Sequence, residues 1–267
     1  MSELSDVRHW LNQADALLIT AGNGVAPQEG ALFDQRAFAQ NYHEWSQRYP
    51  FKTLADALTY KFPDHFEKWR FWGDVILKTQ TAKSPIALSA LKKLTAHRPY
   101  FVMTNTFGHF FENAGFDPAH VFNLCGDLTQ MQCSSGINHG IQSSLPAAHA
   151  LAKATKDRSA DLIPKCPVCQ KPMELRVALN ERFMPDRETN MALRWFLTAN
   201  EDKRVVVLSL GLDENGSQLR DPITGLVSQF KSWHYVTFDA NPLPESIQAR
   251  SMRLDRIDPA ELLPRLS

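Results

Sequence analysis

The chain has 267 residues, 43% of them hydrophobic, with 29 basic and 29 acidic side chains and a formal net charge of +0. That length and composition suit one large domain, or a domain with an inserted lobe. The charge balance excludes a global field drawing the chain to nucleic acid or a membrane surface, no apolar run reaches the length of a membrane helix, and four cysteines do not make a disulfide scaffold.

Met1-Ser2-Glu3-Leu4-Ser5-Asp6 lacks the basic and apolar stretches of a secretory signal, so a reducing cytoplasmic setting is expected. From Ser5 to about Ala16, Val7, Trp10, Leu11 and Ala14 stand at helical spacing, with Ser5 as N-cap. Leu17-Leu18-Ile19-Thr20 then reads as a strand running into the small-residue turn Ala21-Gly22-Asn23-Gly24-Val25. Strand, glycine turn and helix make the first unit of a nucleotide-binding sheet. Glycines there let peptide N–H groups approach a pyrophosphate, although a plain left-handed turn has the same composition. On the first reading, Gly22→Trp blocks the phosphate path.

Phe33, Ala37 and Phe38 suggest a short helix. The aromatic-rich stretch from Tyr42 to Phe71 reads as a packed helical module under or beside the nucleotide site rather than a ligand box. Ser84-Pro85 opens a helix carrying Ile86, Leu88, Leu91 and Leu94. Tyr100–Thr104 is a second buried strand ending at Asn105, and Val121–Leu124 a third, followed by Cys125-Gly126-Asp127. Ser134 to Ala160 looks like a polar excursion from the sheet. A helix from about Glu188 to Ala199 leads to the clearest buried strand, Arg204–Leu210, with Gly211 and Gly216 bracketing a second loop at its end. Tyr235–Phe238 adds a strand, and the tail reads as a strand plus a closing helix, Pro259 to Leu266. The class is α/β, a Rossmann-like doubly wound parallel sheet.

Cys166-Pro167-Val168-Cys169 sits among turn-forming residues, with Lys165 and Lys171 favouring thiolates. The spacing lets both sulfurs share one zinc, and the flanking prolines favour a knuckle over a redox motif. Cys133 supplies a third ligand. The place three residues on is Gly136, and His139 is near enough to be the fourth. A knuckle held by packing without metal is the other reading.

These pieces in this order resemble the sirtuin family over almost the whole chain. The resemblance rests on Ala21-Gly22 with Gly24, Thr104-Asn105 before Ala114-Gly115, Cys125-Gly126 eight residues before Cys133, the Cys166/Cys169 pair, and Leu210-Gly211 with Asn215, Arg220 and Pro222. Gly126-Asp127, Gln132-Cys133, Pro164–Pro167 and Lys171-Pro172-Met173 through Leu175-Arg176 look like the macrodomain-linked class M branch. The resemblance implies a Rossmann domain (1–131 and 197–267, with a helical insertion at about 42–97) and a small zinc-knuckle lobe (132–196). It implies NAD as co-substrate and ADP-ribose transfer to a protein, of lipoyl-carrier type in that branch, or deacylation. Ala21, Gly22, Gly24, Thr104, Asn105, Gly211 and Asn215 fall at cofactor-binding positions, and Cys133, Cys166 and Cys169 at metal positions.

Asn105, Arg176 and Cys125 fall at catalytic positions. Asn105 suits ribose hydroxyls or a water, or ends its strand by bonding local backbone. Arg176 contacts an acceptor or charge, or is a solvated surface residue. Cys125 stands where the family has its histidine. A thiol is a poor replacement base, so it is an apolar wall or, alternatively, a nucleophile or self-modified acceptor. The family's nicotinamide-holding acid is absent after Asn105-Thr106-Phe107-Gly108, where His109 is a substitute or a packed histidine. The first loop lacks its leading glycine, and Arg36 is a loose match for the arginine that follows. Two functions follow: an NAD-consuming transferase or deacylase, and a module that binds NAD, ADP-ribose or a protein without turnover. A Rossmann oxidoreductase would need an acid closing the second strand, and none is evident.

Overall fold

A computed structural model of the chain describes residues 2–25, 35–81, 85–154, 160–179, 181–212 and 217–266. Helix α1 (Ser2–Gln13) precedes β1 (Ala16–Ala21). Helices α2 (Gln35–Asn41), α3 (His43–Arg48), α4 (Leu54–Thr59), α5 (His65–Thr81) and α6 (Ile86–Leu94) lead to β2 (Tyr100–Thr104). Then come α7 (Phe110–Asn113), β3 (Val121–Asn123), β4 (Gly126–Cys133), β5 (Gln142–Ser143), α8 (Leu145–Ala152) and β6 (Met173–Val177). The chain closes with α9 (Arg187–Ala199), β7 (Val205–Leu210), α10 (Ser217–Gln229), β8 (His234–Thr237), β9 (Ser251–Arg253) and α11 (Pro259–Leu266). Among the described residues no helix is long and apolar enough to cross a membrane.

Six of these strands form a parallel sheet in the order β3-β2-β1-β7-β8-β9. Renumbered within the sheet, the order is 3-2-1-4-5-6, which places a crevice between β1 and β7 where the winding reverses. Alternation along the strands explains the two layers. Leu17, Ile19, Val206 and Leu208 face Val7 and Leu11 of α1, Leu88 and Leu91 of α6, and Leu262 and Leu263 of α11. Leu18, Phe101, Val205 and Val207 face Leu193 of α9 and Leu219, Ile223 and Val227 of α10. Strands buried on both faces read as continuous apolar runs, which is why β1, β2 and β7 were legible.

A second sheet, β5-β4-β6, is antiparallel. It shares a separate core with the aromatic helices, where Trp69, Phe71 and Trp72 of α5 meet Leu128, Met131, Cys133 and Leu175. The helical module thus packs on the small sheet. The stretch 134–160 is less of an excursion than expected: it holds β5 and α8, with Ala148 and Leu151 buried in this core. Ser5 lies inside α1 rather than capping it, because the helix starts a turn earlier and carries Leu4 against the main core.

Candidate functional site

The C-terminal ends of the central strands are level: Ala21 pairs with Thr104 on one side and Leu210 on the other. The turns beyond β1 and β7 stack directly on one another. Gly22 N–H donates to Leu210 O (2.9 Å), Gly24 N–H to Gly211 O (3.1 Å) and Val25 N–H to Gly22 O (3.2 Å). A Cβ on Gly22 would lie 2.3 Å from Gly211 O, and one on Gly211, whose φ is +62°, 2.4 Å from Val25 N. The N–H groups of Gly22 and Gly24 are engaged by the neighbouring loop, and the glycines are required for backbone-to-backbone approach. Gly22→Trp would therefore break the loop pair whether or not a nucleotide binds.

Ala21 and Thr104 are likewise engaged. The Thr104 hydroxyl donates to Ala21 O (2.8 Å), accepts from Thr106 N–H (3.1 Å) and lies 2.9 Å from Thr106 Oγ1. Ala21 O also accepts from Asn105 N–H at 3.3 Å. Both residues therefore join strand ends. Asn105 differs. Its Oδ1 is buried without a partner, next to the crevice. A buried unpartnered amide oxygen costs about 1–3 kcal/mol and suits a donor arriving with a ligand. Asn215 lies outside the described residues. Arg220 and Pro222 belong to α10, and Arg36 is exposed on α2.

Sequence reasoning did not single out Asp239, at the end of β8. It is buried and accepts from Leu212 N–H (2.9 Å), Ser209 Oγ (3.1 Å) and Thr237 Oγ1 (3.1 Å). Burial pushes its carboxyl up and these donors oppose that. It braces the Gly211 turn, and an acid just past a strand's C-terminal end was the available signal.

On the β2 side, the segment after Asn105 crosses to the start of β4, where Leu128 N–H donates to Phe107 O at 3.2 Å. His109 Nδ1 there lies 3.4 Å from Asp127 Oδ2 and 3.7 Å from Glu112 Oε2. Hydrogen bonding to Asp127 raises the His109 pKa above its ordinary value despite burial. Cys125, two residues from Asp127, is half-buried, and burial pushes its thiol up, which keeps it protonated. That fits the apolar wall.

Arg176 is not solvated. It is 2% exposed in β6, and its Nε donates to Gln130 Oε1 (2.7 Å) and its Nη1 to Met184 O (3.0 Å). Burial pushes its pKa down, against the attraction of Asp186 and Asp127. These contacts tie the small sheet to the loop leading into α9.

At the far end of β4 the three predicted cysteines converge, with His139 as the fourth group. Cys133 Sγ is 3.4 Å from Cys169 Sγ, Cys166 Sγ is 3.3 Å from His139 Nδ1, and all four atoms lie within 4.8 Å of one another. Tetrahedral zinc with bonds near 2.3 Å separates sulfurs by ~3.8 Å, so the set fits that ion. Burial raises the Cys133 thiol, but contacts from Ser135, Cys169 and His139 outweigh it and bring it to about 6. Gln170, at φ +60°, closes the turn between Cys166 and Lys171.

No family model matches the chain. A protein ADP-ribosyltransferase of Staphylococcus aureus (strain Mu50 / ATCC 700699) is 26% identical over 259 residues, covering 93% of this chain and 82% of that protein. Among solved structures, a Sir2 protein bound to a propionylated peptide superposes with a TM-score of 0.62 at 16% identity, over 99% of this chain and 97% of that one. A Sir2 homologue in complex with NAD gives 0.60 at 16% identity, over 98% and 91%. A Sir2 homologue mutant with ADP-ribose gives 0.61 at 18%, over 98% and 94%. The fold is therefore Sir2-like.

Proposed function

We propose that the chain is a sirtuin-type, NAD-dependent protein ADP-ribosyltransferase of the cytoplasm, related to the macrodomain-linked branch and acting on a protein acceptor such as a lipoyl carrier. Deacylation is the alternative reaction at the same site. The supporting observation is the unpartnered Asn105 Oδ1 beside the level ends of β1, β2 and β7, at the reversal point of a 3-2-1-4-5-6 sheet. The name of the staphylococcal relative points the same way.

Bound NAD supplies an activated bond between ribose and nicotinamide. Asn105 would accept a hydrogen bond from a ribose hydroxyl and so fix the sugar for attack. The stacked Gly22–Val25 and Gly211 turns, braced by Asp239, shape the floor beneath the dinucleotide. Cys125 presents a neutral wall that excludes water. Arg176 holds the loop before α9 and so positions the boundary between the two sheets. Cys133, His139, Cys166 and Cys169 would hold a structural zinc, which fixes the end of β4 and takes no part in chemistry.

The second reading is a module that binds nucleotide without turnover. It is favoured by the protonated Cys125 thiol and the internal engagement of Arg176. Purified protein incubated with NAD and a lipoyl-carrier protein separates the two. The first reading expects nicotinamide release and an acceptor heavier by one ADP-ribosyl group. Absence of both, with a melting temperature raised by ADP-ribose, establishes the second. Neither turnover nor a shift removes both.

A further inference from the structure

Apart from the knuckle, a second set of metal-ligating atoms gathers where the segment after β2 meets the start of β4. His109 Nδ1, a Glu112 oxygen and an Asp127 oxygen lie within 4.8 Å of one another. His109 and Glu112 come from the cap and first turn of α7, and Asp127 from β4. The Phe107–Leu128 backbone bond holds the two segments together. The three side chains keep only 27%, 20% and 11% of their exposure. Asp127 is aimed from its own strand: Oδ1 accepts from Thr129 N–H (2.7 Å) and Thr129 Oγ1 (2.8 Å), which turns Oδ2 toward His109.

Two features separate this set from an ordinary ion pair. His109 Nδ1 is shut off from solvent and has no aligned partner, although Asp127 Oδ2 stands at 3.4 Å and Glu112 Oε2 at 3.7 Å. Asp127 Oδ2 is near enough for a hydrogen bond but lies off the line along which an N–H would point. Ligands around a shared cation are placed in this way, since bonds near 2.1 Å set neighbouring nitrogen and oxygen atoms about 3.0–3.4 Å apart. In addition, two carboxylates converge in a largely buried place, where each opposes the other's charge. Arg176 is attracted to Asp127 but donates to Gln130 and Met184 instead. A divalent cation cancels both negative charges and takes the imidazole lone pair.

We propose that His109, Glu112 and Asp127 form a second metal site, separate from the cysteine knuckle, that takes one divalent first-row ion through one nitrogen and two oxygens. This donor set suits an ion such as Mn²⁺, whereas the thiolates of the knuckle select zinc. Three protein ligands leave the remaining positions to water. The ion clips α7 and the segment before it onto β4, and so fastens the parallel sheet to the small one. The site is independent of whether NAD binds.

The test uses the full chain as purified and Mn²⁺ alone as the probe. Loss of the free-ion electron paramagnetic resonance signal should count about one Mn²⁺ per chain. The bound ion should show electron-spin-echo modulation from one imidazole nitrogen. His109→Leu should abolish that modulation and weaken binding by about 100-fold, and Glu112→Gln should weaken it comparably. Thr129→Val, which removes only the hydroxyl that fixes Asp127, should weaken it by about 10-fold. Mn²⁺ should raise the melting temperature of the wild type and leave that of His109→Leu unmoved. No binding at millimolar Mn²⁺, bound Mn²⁺ without nitrogen modulation, or modulation that survives in His109→Leu would each overturn the proposal. If His109→Leu does not fold, unchanged affinity in Glu112→Gln and Thr129→Val overturns it instead.

Discussion

Two glycines with opposite surroundings make the role of the stacked turns measurable. Gly211 has φ +62° and its absent side chain would collide with Val25 N, whereas Gly225 is exposed within α10 with nothing within 4 Å of a built Cβ. Gly211→Ala should lose about 1–3 kcal/mol of stability, from strain at a left-handed position compounded by the clash. Gly225→Ala should gain about 0.5–1 kcal/mol by removing a flexible residue from a helix interior. Denaturant unfolding without ligand checks both, and equal effects would contradict the packing of the two turns. The glycines were legible as residues but their purpose was not, because composition cannot say whether a close approach is made by a phosphate or by another stretch of the same backbone. Asn105 shows the converse. Its place at a strand end was readable, but the lack of a partner for Oδ1 depends on every neighbour at once.

The small antiparallel sheet is the element least visible in advance. In β4, Asp127, Thr129 and Gln132 are buried although polar, so the alternation that announces a half-buried strand is missing. Asp127 and Thr129 satisfy one another within the strand, and Gln132 is satisfied from outside it: its Oε1 accepts from Met184 N–H (2.9 Å) and its Nε2 donates to Arg182 O (2.7 Å). Arg176 completes the same link from β6. Arg176→Lys cannot reproduce both the Gln130 and Met184 contacts with fork geometry, so it should cost about 1–3 kcal/mol. Amide hydrogen exchange should rise chiefly over 181–186. A variant that lost turnover at unchanged exchange would mean instead that Arg176 meets the acceptor directly.

The molecule carries two largely separate cores, one pair of layers around the parallel sheet and one aromatic core joining α2–α5 and α8 to the small sheet. Cys133 and Cys166 belong to the second, beside Trp69 and Trp72. Metal removal should therefore act on that half. Metal analysis should find about one zinc per chain, lost in Cys166→Ser. In a strong chelator, tryptophan fluorescence, weighted by Trp45, Trp69 and Trp72, should unfold below the transition seen by far-ultraviolet circular dichroism; coincident transitions would show the knuckle holds by packing without metal. The doubly wound sheet, its strands and the Cys-x-x-Cys knuckle could be read from the chain because burial on both faces and ligand spacing leave local patterns. The partnering of the two glycine turns and the approach of His109 to Asp127 could not. Each joins segments whose meeting is set by how the two sheets pack, and pairwise proximity across that distance leaves no trace in local periodicity.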